Sequence, residues 1–402
     1  MVLRTSPLFF TICILAQLFL LRSIAFTQTG NPGILIWPLR LHPSLTTKGE
    51  RVSNLLLTEK NEKAELRTTI TPALDVELPF LYHQALFKLG YKGDIILHNR
   101  YSRENTMNNQ FHVDLNFSLP AGLSLDLSHQ FSDNSTQAYS ERGRKKDYQV
   151  NETSANIGYK YLDRYQAELT YTRTDRKYDW ELDQEDDYAE DALSFILSYR
   201  IRPRTILLLE PRYAFRDNKD LFGPSTDNDM VGLFIGLERD PAERISGSLK
   251  AGYLALMYKE DVWDNVTGFG VEADLNYRPR SYTNFSLKGF RRIAQTSFTS
   301  KQGTQYGPSY TSTGIEFSAK HSFTSKISAN AQVSYITDDY SETGIVGRKR
   351  NDEYWRAEIA IEYKIQEWLS CNLKGSFSDN NSNFPREEYQ QSGITFNFVT
   401  HF

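Results

Sequence analysis

The chain has 402 residues and a formal net charge of −4, a balance that gives no footprint for nucleic-acid binding. Its two cysteines cannot support a disulfide scaffold, although a secreted chain of this size would be held together somehow. The aromatic content is high, with 24 Phe and 24 Tyr, yet no run of about 18 apolar residues follows the N-terminus, so no spanning helix is expected.

The first residues read differently from the rest. Arg4 precedes the apolar run PLFFTICILAQLFLL (residues 7–21), and Arg22 and Ser23-Ile24-Ala25 follow it. A charged start, an apolar stretch and small residues before a break make a secretory signal peptide over 1–25, with cleavage expected near Ala25. A single-pass anchor is the alternative. Residues 26–35 read as a flexible segment. Cys13 lies in the signal and lacks the small residues that precede a lipidated cysteine, which leaves Cys371 alone in the mature chain.

From residue 36 to 402 one pattern repeats. Phe111, Val113, Leu115, Phe117 and Leu119 alternate with His112, Asp114, Asn116 and Ser118, and Pro120-Ala121-Gly122 ends the run. Ala319, His321 and Phe323, then Ile327, Ala329, Ala331, Val333 and Tyr335, do the same on either side of Thr324-Ser325-Lys326. Strict alternation reads as strands with one greasy and one wet face. About 18 such segments run from 36–48 to 388–402, and their connectors alternate between short ones such as LPAG or RPRT and mostly longer polar ones such as 134–149 and 177–188. This two-sided rhythm predicts an all-β fold, a transmembrane up-and-down antiparallel barrel of about 18 strands, with 16 as the alternative. Lipid offers backbone groups no hydrogen-bond partner, so such a barrel must close.

The last strand, ITFNFVTHF, puts Ile394, Phe396, Phe398 and Phe402 on one side. A terminal Phe on a final alternating strand resembles the C-terminal signal that bacterial outer-membrane insertion machinery reads. Trp37 and Trp368 fall near inner strand ends, Trp263 and Trp355 near outer ends, as interfacial girdles would have them.

A lumen of this width exceeds what side chains can fill. Parity assigns its lining to Arg200, Glu210, Arg212, Arg216, Lys250, Glu272, Asp274, Lys288, Glu316, Lys320, Arg356 and Glu358, among other charges of both signs. Balanced charge predicts a hydrated pore with a transverse field, or salt bridges that stiffen the wall; both can hold together. Arg200, Arg212 and Arg216 are the candidates for contacting anionic cargo, against structural pairing with Glu210. The acidic loop ELDQEDDYAED (181–191) lacks the ligand spacing of a calcium loop and reads as a solvated loop. The basic residues Arg142, Arg144, Lys145 and Lys146 are candidates for lipopolysaccharide phosphates. His112 neighbours Asp114 on an inward face and His129 faces outward, but no nucleophile motif accompanies them, so no enzyme is expected. Nothing implies a metal or cofactor.

One stretch carries a family resemblance. Pro43-Ser44-Leu45, Asn54, Pro72 and the Tyr91–Asp94 patch, within 43–59 and 70–95, resemble the N-terminal strands of a family of outer-membrane β-barrel porins often found among exopolysaccharide or capsule genes. Where that family carries acidic residues before the Asn, Arg51-Val52-Ser53 stands here. The resemblance implies a pore or scaffold in surface-polysaccharide export and supplies no functional residues.

The expectation is thus a passive porin-like channel in the outer membrane of a Gram-negative bacterium. The alternatives are a structural or adhesion barrel with a blocked lumen and, behind it, a barrel enzyme. Expected partners are outer-membrane lipid and lipopolysaccharide, the barrel-assembly machinery and, on the resemblance, polysaccharide-export components. No polar stripe marks the lipid-facing side, so a monomer is expected.

Overall fold

The structure, a computed structural model, describes residues 33–401 except 82–83, 137–144, 222–223, 240–243, 297–306, 343–347 and 385–386. The expected signal 1–25, Arg142, Arg144 and Phe402 lie outside the described residues. In chain order the strands are β1 (Ile34–Ile36), β2 (Leu39–Val52), β3 (Glu65–Phe80), β4 (Ala85–His98), β5 (Thr106–Ser118), β6 (Leu123–Thr136), β7 (Lys146–Tyr161), β8 (Tyr165–Tyr178), β9 (Tyr188–Arg202) and β10 (Thr205–Asn218). Then come β11 (Asn228–Arg239), β12 (Ile245–Tyr258), β13 (Val266–Arg280), β14 (Thr283–Gln295), β15 (Ser309–Ser322), β16 (Ile327–Tyr340), β17 (Asn351–Gln366), β18 (Leu369–Ser382) and β19 (Tyr389–His401).

From β2 to β19 each strand pairs antiparallel with its chain neighbours, and β19 returns to β2 from Gly393↔Val52 to His401↔Ser44. The barrel therefore closes with 18 strands, which excludes the 16-strand alternative. After β1 these strands have 12 to 16 residues, more than the about 9–11 that cross an apolar core, so their ends project beyond it. The short connectors all lie at one end, as the sequence rhythm requires.

The apolar alternates face outward. Ile235 is 58% exposed and Ile359 is 60% exposed, values that would be costly in water and suit a lipid-facing surface. The hairpin around Thr324-Ser325-Lys326 obeys the same rule, with Ile315, Phe317 and Val333 exposed on the outer face.

Three local features explain the residues of the family resemblance. β1 doubles back and pairs with residues 39–41 of β2, continuing the edge that β19 leaves beyond Ser44. Ile34 and Leu35, which the sequence places in a flexible segment, are strand residues here. No strand partner stands opposite Pro43 on that edge, so its missing N–H breaks no ladder. Pro72 likewise sits where the β3–β4 ladder lapses between Ile70↔Ile95 and Ala73↔Lys92. In β4 the Tyr91 ring lies over Gly93, where a Cβ would come within 2.5 Å of the Tyr91 hydroxyl, and that hydroxyl bonds Asn109 Oδ1 at 3.1 Å.

The closing seam is finished by side chains. Above Val52, the amide of Ser53 donates to the Ser392 carbonyl at 2.9 Å. Asn54 is fully buried; its Nδ2 donates to the carbonyls of Thr58 (2.8 Å) and Gln390 (3.0 Å), and its Oδ1 accepts from the Thr58 amide.

One ladder stops early. β13 pairs with β12 up to Val266, but with β14 only as far as Val271↔Arg291. Beyond that point β14 stays paired with β15 and leans inward across the inner faces of β11 and β12. Asn228 of β11 and Gln295 of β14 exchange two amide hydrogen bonds, both 3.0 Å.

Candidate functional site: a charged layer inside the barrel

The ladders fix which side chains face the lumen. Even-numbered residues do so on β2 and from β4 to β18, odd-numbered ones on β3 and β19. All twelve candidate lining residues, Arg200 to Glu358, fall on this inner face.

Their states differ. Glu210, 4% exposed, accepts from Arg212 Nε at 2.6 Å, Lys250 Nζ at 2.7 Å and Ser194 Oγ at 2.9 Å. Arg212 reaches across to Glu272 with two bonds, Nη1 at 2.5 Å and Nη2 at 2.9 Å, and its guanidinium lies 4.4 Å from the centre of the Phe234 ring. Glu272 also meets Lys250 at 3.9 Å. Two cations and two carboxylates thus form one neutral layer. Bidentate charge-assisted bonds of this kind hold geometry as well as charge. The sequence makes room for it: Gly232 and Gly252 put no side chain between β10 and β13, so the long side chains lie flat along the wall.

Beside the layer, facing the lumen, Phe234, Leu254 and Leu256 are buried with Ile293, and Met230, Tyr258 and Val266 pack against them. Two cavities flank the layer. One of about 440 Å³ is lined by Glu168, Ser198, Glu238, Ser248, Asp274 and Arg278 among others. The other, about 330 Å³, is lined by Thr170, Thr172, Ser194, Arg212, Phe234 and Arg292 among others. Lys250 borders the first, Glu272 the second. On the adjoining strands β14–β17 the wall is looser: Lys288, Lys320 and Arg356 are exposed, and among the described residues no carboxylate pairs with them, although Glu316 stands opposite Lys288 in the ladder. Glu358 is held by Lys374 at 3.4 Å.

Residues 33–402 match the family model described as putative beta-barrel porin 2. The chain belongs to this porin family. Its fold is shared with OpdL of Pseudomonas aeruginosa, at 12% identity and TM-score 0.50, over 91% of this chain and 99% of that one. It is also shared with Pseudomonas aeruginosa OpdK bound to vanillate, at 9% identity and TM-score 0.50, over 90% and 99%. The FrpB iron transporter of Neisseria meningitidis, F3-3 variant, aligns at 10% identity and TM-score 0.49 over 85% of this chain but 62% of its own, so this chain spans less than two thirds of its length. No curated protein matches. At such identities the likeness is one of fold.

In this porin the three candidate arginines do not form one site. Arg200 caps the inner turns, donating to the carbonyls of Asp163 (2.9 Å) and Pro203 (2.8 Å). Arg212 belongs to the layer. Arg216 lies four residues further along β10, with its guanidinium 3.5 Å from the centre of the Tyr188 ring and a bond to Asn218. Strand spacing distributes these candidates for anionic cargo along the whole wall.

The porin's outer loops also depart from expectation. The acidic loop is not a solvated one: Asp183 and Asp186 are buried and clamp Lys146 at 2.9 and 2.7 Å. Lys146 is therefore withdrawn from any lipopolysaccharide contact, while Lys145 meets Asp147 at 3.5 Å. Among the described residues no group of His, Cys, Asp and Glu could hold a metal ion. A second buried cluster closes the outer ends of β16–β18, where Arg350 bonds Asp352 at 2.7 Å and Glu387 at 3.2 Å. Burial opposes the charge on Arg350, and Asp352, Tyr340 and Glu387 outweigh it, holding the guanidinium above its usual value. Sequence reasoning missed this cluster, because its members come from three segments that only the ladders bring together.

Trp37 and Trp368 lie in the turns at the inner end, and Trp355 faces outward beside Tyr335 with ring centres 4.6 Å apart. Trp263 instead turns to a neighbouring loop, its indole N–H donating to the Ser225 carbonyl at 3.0 Å. His112 meets Asp75 at 3.5 Å and Asp114 at 4.0 Å, and His129 on the outer face contacts Thr153 Oγ1 at 2.9 Å. Cys371 also faces outward, as a free thiol.

Proposed function

We propose that the porin is a passive channel for small polar and charged solutes. The observation that carries this is the contrast along one lumen wall: a neutral, fixed layer on β10–β13 adjoins unpaired Lys288, Lys320 and Arg356 on β14–β17. Free charge beside fixed dipoles orients a solute in transit and sets a mild ion preference without a binding trap. The chain offers no energy source, and no group in it demands a reaction. Signal-directed export, insertion through the final strand by barrel-assembly machinery and a monomeric state belong to the same reading.

Single-channel conductance of the refolded mature chain in a planar bilayer tests it. Open steps support the channel; silence from protein that is folded and heat-modifiable overturns it. A specific observation favours the second reading, a blocked scaffold. The two buried ion clusters stand at the outer ends of the strands, where β14 also leans inward. Passage of surface polysaccharide rests on the family resemblance alone, and interruption of open steps by an anionic oligosaccharide is the result that would support it.

A further inference from the structure

The early end of the β13–β14 ladder has a geometric meaning. Ile293 and Gln295 belong by parity to the outer face of β14, the face of Phe285 and Leu287. Yet Ile293 is 9% exposed and packs with Phe234, Leu254 and Leu256, which point into the barrel from β11 and β12. The outer face of β14 therefore rests on the inner face of its neighbours. In cross-section the outer end of the barrel is a scroll: the edge of β13 lies outside, the edge of β14 inside, and an apolar layer separates them.

On the outer side of this overlap, residues 266–270 of β13 pair only with β12 among the described residues. An open strand edge cannot persist in hydrocarbon, because its N–H and C=O groups would go unsatisfied. The edge lies beside the outer aromatic girdle, marked by Phe269, 75% exposed, and its ring neighbour Tyr253. Gly268 adds space: a Cβ built there meets nothing within 4 Å. On the inner side of the overlap is the 330 Å³ cavity, a volume ordinary for a small-molecule site. Arg291 and Arg292 line it at the mouth of the scroll. Arg291 bonds the Thr313 hydroxyl at 2.8 Å and meets no carboxylate among the described residues, while Arg292 stacks on Phe290 on the other face of β14, within electrostatic reach of Asp338.

We propose that the β13–β14 overlap is a lateral portal between the lumen and the outer leaflet, and that it takes an amphiphile with an anionic head and a short apolar tail. The head pairs with Arg291, which shares the face of Ile293 on β14. The tail replaces contacts of the Phe234–Leu254–Ile293 layer and leaves past Gly268 and Phe269. Lateral exchange is a separate property from ion flow along the barrel axis, so it does not depend on the channel reading.

The test uses the refolded mature chain in vesicles with dansyl-undecanoate as the probe. Saturable binding is expected, with transfer between protein and bilayer slowed at least about tenfold by Gly268→Trp, which fills the passage. Gly268→Ala is expected to behave as the natural chain, and Gly268→Trp to leave ion conductance intact. Dodecyltrimethylammonium, an amphiphile of opposite charge, is expected not to compete. No saturable binding, equal transfer rates in Gly268→Trp, or equal binding of the cationic amphiphile would each overturn the portal. Loss of conductance in every chain would count against the channel and leave these three outcomes readable.

Discussion

Two stretches of the inner wall carry the same kinds of charge in different states. On β10–β13, Glu210, Arg212, Lys250 and Glu272 are locked in one neutral layer. On β14–β17, Lys288, Glu316, Lys320 and Arg356 stand on the same face without an ion pair among the described residues. Alternation put all eight on the wet side. What separates them is what lies between: Gly232 and Gly252 clear the surface on one stretch, and the Phe234 ring lies against the Arg212 guanidinium. The locked stretch behaves as structure and the free stretch as field. Neighbouring small residues, rather than the charges themselves, decide which.

The comparison presumes the two faces are as assigned, and the largest effect tests that. Ile235→Lys puts a charge on the lipid face of β11 and should cost about 2–4 kcal/mol if it lies near the bilayer midplane. Urea unfolding in lipid vesicles measures it; an unshifted midpoint would mean the face is not in lipid. Glu210→Gln strips the locked layer of its central charge. It should lose roughly 1.5–3 kcal/mol, the value of a hydrogen bond to a charged group, and shift the reversal potential toward anions. A change in potential with no loss of stability would make the layer field rather than structure. Gly232→Val would convert one stretch toward the other, since a Cβ there comes within 2.9 Å of Leu254 Cδ2. Overpacking predicts about 1–3 kcal/mol of destabilisation and a wider spread of conductance levels as Arg212 is displaced. Arg356→Gln should sit at the other extreme: stability within about 0.5 kcal/mol of the natural chain, with the reversal potential moved toward cations. A large stability loss there would show that the free stretch is locked after all.

The barrel itself was legible because lipid imposes a strict rule. Outward positions within the bilayer must be mostly apolar and every strand must pair twice, so a period of two recurs from β2 to β19 and short connectors mark one end. The pairing state of the lumen charges was not legible, because it depends on residues three strands away, as Glu272 is from Arg212. The scroll was hidden for a related reason. Ile293 and Gln295 keep the alternation of β14 and stay in register with β15, so nothing in the period reveals that their face has moved inside. The loop at 181–191 misled because a row of carboxylates looks solvated until Lys146, from the preceding hairpin, is placed among them.

Asn54 has a consequence in time. Its bond to the Gln390 carbonyl joins residues 336 positions apart, across the junction of β19 with β2, which are not neighbours in the chain. Contacts of such separation form late, after the loop they close has been ordered by everything in between. The buried amide is then a checkpoint for completion. Thr58 serves its oxygen and one N–H locally, but the second N–H finds the Gln390 carbonyl only in a barrel that has all its hairpins, and a chain arrested one hairpin short leaves that donor without it at the open edge.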